Sequence, residues 1–290
     1  MPLRQQQQAT PGPAPRVEPD PDNPPWGVLE AVGLLLTSFL LMLLTTALLL
    51  IPYVIYRGVR LDAFAEFVVK DPGAIVVQIV SIIPAHLLTL ALAWLIVTRA
   101  GKYPFFKTLG WEWGAGFTLW RSAGLAVALL MVGLGIVWLT GPTDNALERL
   151  IQSSRAAALA TAFAASLTAP IVEEIVFRGV LYSALRRLIG VGGAVAVVLL
   201  IFAVIHVPQY WPSYGVIFTI LLLSVVLTLI RARTGQLLPC FVIHFVFNTI
   251  QAVLIVLNPY LERLAPEAPT PAPVPAPGLL LELFARLFSG

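Results

Sequence analysis

Residues 156–178 read AAALATAFAASLTAPIVEEIVFR, and this stretch decides how the rest of the chain is read. From Ala156 to Val172 there is no charge at all, as in a helix entering a bilayer core. Glu173 and Glu174 then stand side by side, and Arg178 follows one helical turn after Glu174. A charge at the bilayer centre costs about 2.5–3.5 kcal/mol by insertion measurements. Three such groups in one turn therefore mark a place where chemistry is to be sought.

The surroundings are of the same apolar material. Of 290 residues, 58% are hydrophobic and 11% charged, whereas a soluble domain carries about a quarter charged residues. Mean hydropathy is +0.88. Runs long enough to cross a core of about 30 Å cover residues 28–55, 74–98, 117–140, 156–185, 191–207, 215–230 and 237–257. The composition predicts an all-α polytopic transmembrane helical bundle of about seven to eight membrane helices. An eighth apolar run, 279–290, is too short to span. With Glu282 and Arg286 one turn apart it suits a short amphipathic helix in the interface.

The ends differ from the middle. Residues 1–27, with Gln5 to Gln8 and repeated prolines, read as a disordered polar tail. The membrane domain then covers 28–258, with its motif-bearing core at 156–258, and a proline-rich linker covers 259–278. The first apolar run is too long for a cleavable signal and reads as an anchor. Net charge is +3 without a basic run, which gives no nucleic-acid partner. The single cysteine, Cys240, excludes an internal disulfide and reads as a small apolar residue at a helix start.

Orientation follows from Lys and Arg. The side holding the N-terminus carries Arg99, Lys102, Lys107, Arg186, Arg187, Arg231 and Arg233. The other side carries Arg57, Arg60, Lys70, Arg149 and Arg155. This bias predicts a multi-pass protein of the plasma membrane with a cytoplasmic N-terminus.

Two more polar pairs lie in later spans: Phe202 with His206, and His244 with Asn248. Each is spaced by four residues and so lies on one helix face. Glu174 lies 13 residues before Arg187, and His206 lies 13 after Gly193, about 20 Å from the Arg-rich side. His244 and Asn248 come 9 and 13 residues after Gly235, roughly 14–20 Å from that side. Three antiparallel spans thus bring carboxylates, two imidazoles and an amide to one level.

That set suits activation of water. Two adjacent carboxylates repel, so one tends to hold a proton while the other acts as base. Arg178 can hold the ionised partner, His206 can share the water or protonate a leaving amine, and His244 with Asn248 offer oxyanion donors. The layout is that of an amide hydrolase.

Glu173-Glu174-x-x-x-Arg178, Phe202-x-x-x-His206 and His244-x-x-x-Asn248 resemble, in order, the three motifs of the CPBP intramembrane proteases (CAAX prenyl protease type 2 and bacteriocin-processing, Abi-type). The resemblance covers Glu173 to Asn248, about a quarter of the chain. It implies a helical membrane fold with a cavity open to one leaflet, and a glutamate with a histidine activating water. Carried over by position, Glu173 is the leading base, with Glu174 and Arg178 ordering it. His206 is the second activator, and His244 with Asn248 the oxyanion site. The implied partner is a membrane-associated or lipidated peptide in the lipid bilayer; the family is often labelled metalloprotease, and a metal-free glutamate mechanism, the reading favoured for these residues, requires no cofactor.

Other readings stand beside this one. Zinc is possible through a His₂Glu set of Glu173, His206 and His244. Against it, there is no H-E-x-x-H pair, and Arg178 would oppose a cation. A non-catalytic membrane scaffold or immunity factor would use the same fold. A proton-coupled transporter would use the same buried groups, although no internal repeat is visible. Phe177 and Phe202 read as packing that excludes bulk water. His86, beside Pro84, reads as an interhelical hydrogen-bond partner outside the site.

Overall fold

The computed structural model describes residues 18–264 apart from 115 and 142. The first half contains α1 (Val28–Tyr56), α2 (Phe64–Lys70), α3 (Pro72–Thr98), α4 (Phe105–Leu109), α5 (Leu119–Thr140) and α6 (Ala146–Gln152). A long helical run follows: α7 (Arg155–Phe163), a π-helix (Ala164–Thr168), α8 (Ala169–Glu173), a second π-helix (Glu174–Leu181) and α9 (Tyr182–Tyr210). Two helices, α10 (Tyr214–Thr234) and α11 (Leu238–Leu264), complete the described chain. Among the described residues there is no β-strand, and the protein is an all-α polytopic bundle.

Among the described residues six helices are long and apolar enough to cross a membrane, against seven spans read from the sequence. The difference lies in the run Arg155–Tyr210, whose 56 residues form one of the six. A helix of that length would extend about 84 Å, against a core of about 30 Å. It is broken at Gly190, where φ is 74° and ψ 176°, a conformation open to glycine for want of a Cβ. The run therefore supplies two segments of crossing length.

Local starts follow from side-chain caps. Asp71 Oδ1 accepts from Ala74 N at 2.8 Å, with Pro72 opening α3. Asn145 caps α6 through Glu148 N at 3.0 Å, and Ser154 caps α7 through Ala157 N at 3.1 Å. Large apolar side chains such as Leu36, Leu43, Trp138 and Leu200 point outward, as a hydrocarbon solvent allows.

Packing pairs α1 with α3, α9 with α10, and α11 with α5. Two cores result. One gathers Leu34, Val97, Ile175, Val180 and Phe202 around the π-helical segment. The other gathers Leu130, Leu134, Leu227, Ile243 and Phe247 between α5, α10 and α11.

Two expectations about the ends need correction. Residues 18–27 are not a free tail but a strap folded onto one end of the bundle. Trp26 is 1% exposed and donates its indole N–H to Val180 O at 3.0 Å. Cations hold the strap along its length: Lys107 on Glu18, Arg186 on Asp22, Arg187 on Pro24 O and Arg99 on Pro25 O. Burial of one aromatic ring and a row of basic partners overcomes the polar composition. At the other end, helix continues from 259 to Leu264, where the linker was expected to begin. Residues 1–17, the rest of that linker and the short amphipathic helix at 279–290 lie outside the described residues.

Arg231 also needs correction. It is no loop cation but lies 1% exposed inside the bundle, on α10.

Candidate active site

The site is built where the helix carrying the glutamates changes its hydrogen-bond spacing. Pro170 lacks an N–H, so in the five-residue spacing of the preceding π-helix Ala165 O has no donor of its own. Asn248 Nδ2 takes that carbonyl at 2.9 Å. Beyond the glutamates, Tyr182 N–H still bonds Phe177 O, five residues back. The return to four-residue spacing skips a carbonyl there, and Arg178 O accepts from Arg231 Nε at 3.0 Å. Single-turn π segments of this kind concentrate at functional sites.

The two carboxylates fall into different surroundings. Glu174 is 0% exposed, and its Oε1 accepts from Arg178 Nη1 at 3.1 Å and His244 Nδ1 at 2.8 Å. Its Oε2 is buried without a hydrogen-bond partner among the described residues. Glu173 keeps 22% of its side chain open and lies 3.8 Å from His244 Nε2. One imidazole therefore sits between both acids. Glu173 is also near enough for its charge to act on His86 and on Tyr210.

An aromatic hinge connects these groups to His206. The Phe202 ring lies 4.2 Å under the Arg178 guanidinium, 4.5 Å from the His206 ring centroid and 6.3 Å from that of His244. Phe177 meets it edge-on at 5.2 Å. Phe202 is 1% exposed, so the cation rests on a dry ring face. His206 Nδ1 lies 2.6 Å from Phe202 O. A carbonyl only accepts, so this contact assigns the proton to Nδ1 and leaves Nε2 as the basic nitrogen.

Glu173, Glu174, Arg178, Phe202, His206 and His244 thus come together from three helices distant in sequence. Asn248 lies one turn further along α11, with one amide N–H committed to Ala165 O. The side chains that a zinc ion would use, Glu173, His206 and His244, are among these. Among the described residues no three His, Cys, Asp or Glu groups converge closely enough to hold a metal ion. His244 Nδ1 is given to Glu174 and His206 Nδ1 to its own helix, bonds that leave Nε2 of each ring uncommitted, while the Arg178 guanidinium lies against Glu174.

Sequence reasoning missed several participants. Ser224 and Thr228 of α10 bond Arg178, and Arg231 of the same helix bonds its carbonyl. Their spacing of four and three residues was a visible signal of a shared face. His86, set apart above, bonds Thr168 Oγ1 at 2.8 Å and so touches the first π-helix. Cys240 is buried and free, with its Sγ on Leu227 O at 3.3 Å.

With this geometry in place, residues 155–250, about a third of the chain, match the family described as type II CAAX prenyl endopeptidase Rce1-like. The match spans all three motifs and agrees with their resemblance to the CPBP proteases. Comparison with curated proteins and with solved structures returns no significant match.

Proposed function

We propose that this membrane protein is an intramembrane endopeptidase that hydrolyses a peptide bond at or near the bilayer with water activated by Glu173 and His206. The observation carrying this reading is the division between the two acids. Glu174 is sealed and bonded to Arg178 and His244, while Glu173 beside it stays partly open.

Glu173 takes a proton from water, and the hydroxide attacks the scissile carbonyl carbon. His206 Nε2 accepts a hydrogen bond from that water, and Glu173 later passes the proton it took to the leaving amine. The N–H of Asn248 not used by Ala165 O meets the developing oxyanion, joined by His244 one turn before it on α11. No step in this reading runs through a metal.

A largely apolar cavity of about 150 Å³ is lined by Leu134, Val137, Tyr210, Phe247 and Leu254, with Asn145, Glu148 and Gln251 also in its wall. Tyr210 is common to this wall and to the surroundings of Glu173. Apolar walls beside a hydrolytic centre favour a membrane-associated or lipidated peptide substrate. The strap and its cations share one end of the bundle, which favours the cytoplasmic N-terminus.

The test uses purified protein in detergent with a prenylated C-terminal peptide and its unprenylated counterpart. Glu173→Gln should lower kcat by about 10²–10⁴-fold while leaving the protein folded. Wild-type cleavage by the double variant Glu173→Gln/Glu174→Gln would refute the mechanism. A pull-down with Glu173→Gln as a trap would identify the natural substrate.

A further inference from the structure

Ser224, Thr228 and Arg231 share one face of α10, and the residues between them are apolar. All three are buried, and among the described residues none is paired with an acid. Ser224 Oγ accepts from Arg178 Nη2 at 2.9 Å and Thr228 Oγ1 from Arg178 Nε at 3.3 Å. Arg231 donates Nε to Arg178 O at 3.0 Å and Nη2 to Ser183 Oγ at 3.0 Å. One helix thus grips both the main chain and the side chain of Arg178.

The geometry of a guanidinium gives this grip a consequence. Its donors lie in one rigid plane, so fixing Nε and Nη2 fixes where Nη1 points. With those two directed at the hydroxyls, Nη1 meets Glu174 Oε1 at 3.1 Å. Hydroxyls orient the cation without neutralising it. A carboxylate at position 224 or 228 would compete with Glu174 for the same charge.

We infer that Ser224 and Thr228 are positioning residues of the proposed hydrolysis: they set the plane of Arg178, which holds Glu174 and, through it, His244 between the two acids. This inference rests on the protease reading above. Apolar side chains at 224 and 228 would brace the helices but leave Arg178 Nε and Nη2 buried without acceptors.

Kinetics of purified Thr228→Val, Thr228→Ser and Ser224→Ala with the prenylated peptide test it. Thr228→Val keeps the shape and loses the hydroxyl. It should lower kcat about 10–100-fold with KM little changed, as small misplacements of catalytic groups do. Ser224→Ala should act in the same direction, and Thr228→Ser should retain most of the rate.

Equal losses for Thr228→Val and Thr228→Ser would overturn the inference, because methyl packing would then explain both. A rise in KM at constant kcat, or wild-type kcat in Thr228→Val and Ser224→Ala, would also overturn it. So would aggregation of both hydroxyl-free variants on size exclusion, which marks a purely structural role. Wild-type protein that cleaves neither peptide would instead sink the protease reading, and this inference with it.

Discussion

Two arginine–carboxylate pairs stand at different depths in this bundle. Arg57 and Asp71 meet at 3.5 Å where α1 faces the start of α3, with side chains 45% and 15% exposed. Arg178 and Glu174 meet at 3.1 Å with both side chains 0% exposed. The outer pair is incidental to a cap: Asp71 also accepts from Ala74 N and from the Tyr53 hydroxyl at 3.0 Å. The inner pair could not persist alone in an apolar interior. It is surrounded by two hydroxyls, an imidazole and an aromatic ring face. The same two residue types therefore do local work at the rim and hold a reactive arrangement at the centre.

The largest difference should appear on breaking the inner pair. Arg178→Leu leaves Glu174 buried without its cation and should cost about 3–5 kcal/mol of stability, with cleavage abolished. Denaturant unfolding in detergent, alongside the peptide assay, measures both. A stable and active Arg178→Leu protein would erase the contrast between the pairs.

The outer pair should give a smaller, pH-dependent effect. Burial pushes the Asp71 carboxyl up, but the Ala74 N–H, the Tyr53 hydroxyl and the Arg57 guanidinium outweigh it and hold it below its ordinary value. A carboxyl lowered by folding adds stability above its unfolded value near 4, lost as pH falls through the folded value. Asp71→Ala should cost about 1 kcal/mol near neutrality as a lost helix cap. The gap from wild type should close as pH is taken from about 5 towards 3, read by thermal unfolding.

The smallest change belongs to the hydroxyls between α1 and α3. Thr46 Oγ1 and Ser81 Oγ lie 2.7 Å apart, and Thr45 Oγ1 donates to Ser81 O at 3.0 Å. Ser81→Ala should cost about 0.6 kcal/mol, the average for such contacts within membranes, and leave cleavage unchanged. A loss of activity in Ser81→Ala would show that the two regions are coupled.

How far the sequence could be read follows the same division. Charges inside apolar runs stand out against their background, so Glu173, Glu174 and Arg178 announced themselves. Four-residue spacing then brought in Phe202, His206, His244 and Asn248. Hydroxyls carry no such contrast: Ser224 and Thr228 look ordinary in a membrane helix, and their contacts with Arg178 cross 46 and 50 residues. The π-helical spacing was hidden because apolar periodicity barely distinguishes it from ordinary helix. Arg231 lay near a loop and was counted as a boundary cation, and Trp26 was lost in a polar stretch. Depth estimated from residue counts found the level of the site, but not the contacts made between its helices.

The bond from Trp26 to Val180 spans 154 positions of the chain. At synthesis rates of about 5–20 residues per second, roughly 8–30 s separate the making of the indole from that of its acceptor. The strap therefore cannot dock before the acidic segment has been made. During that interval the nascent chain holds Trp26 without its buried partner. A chaperone or quality-control protease reading exposed aromatic residues would have this window in which to act.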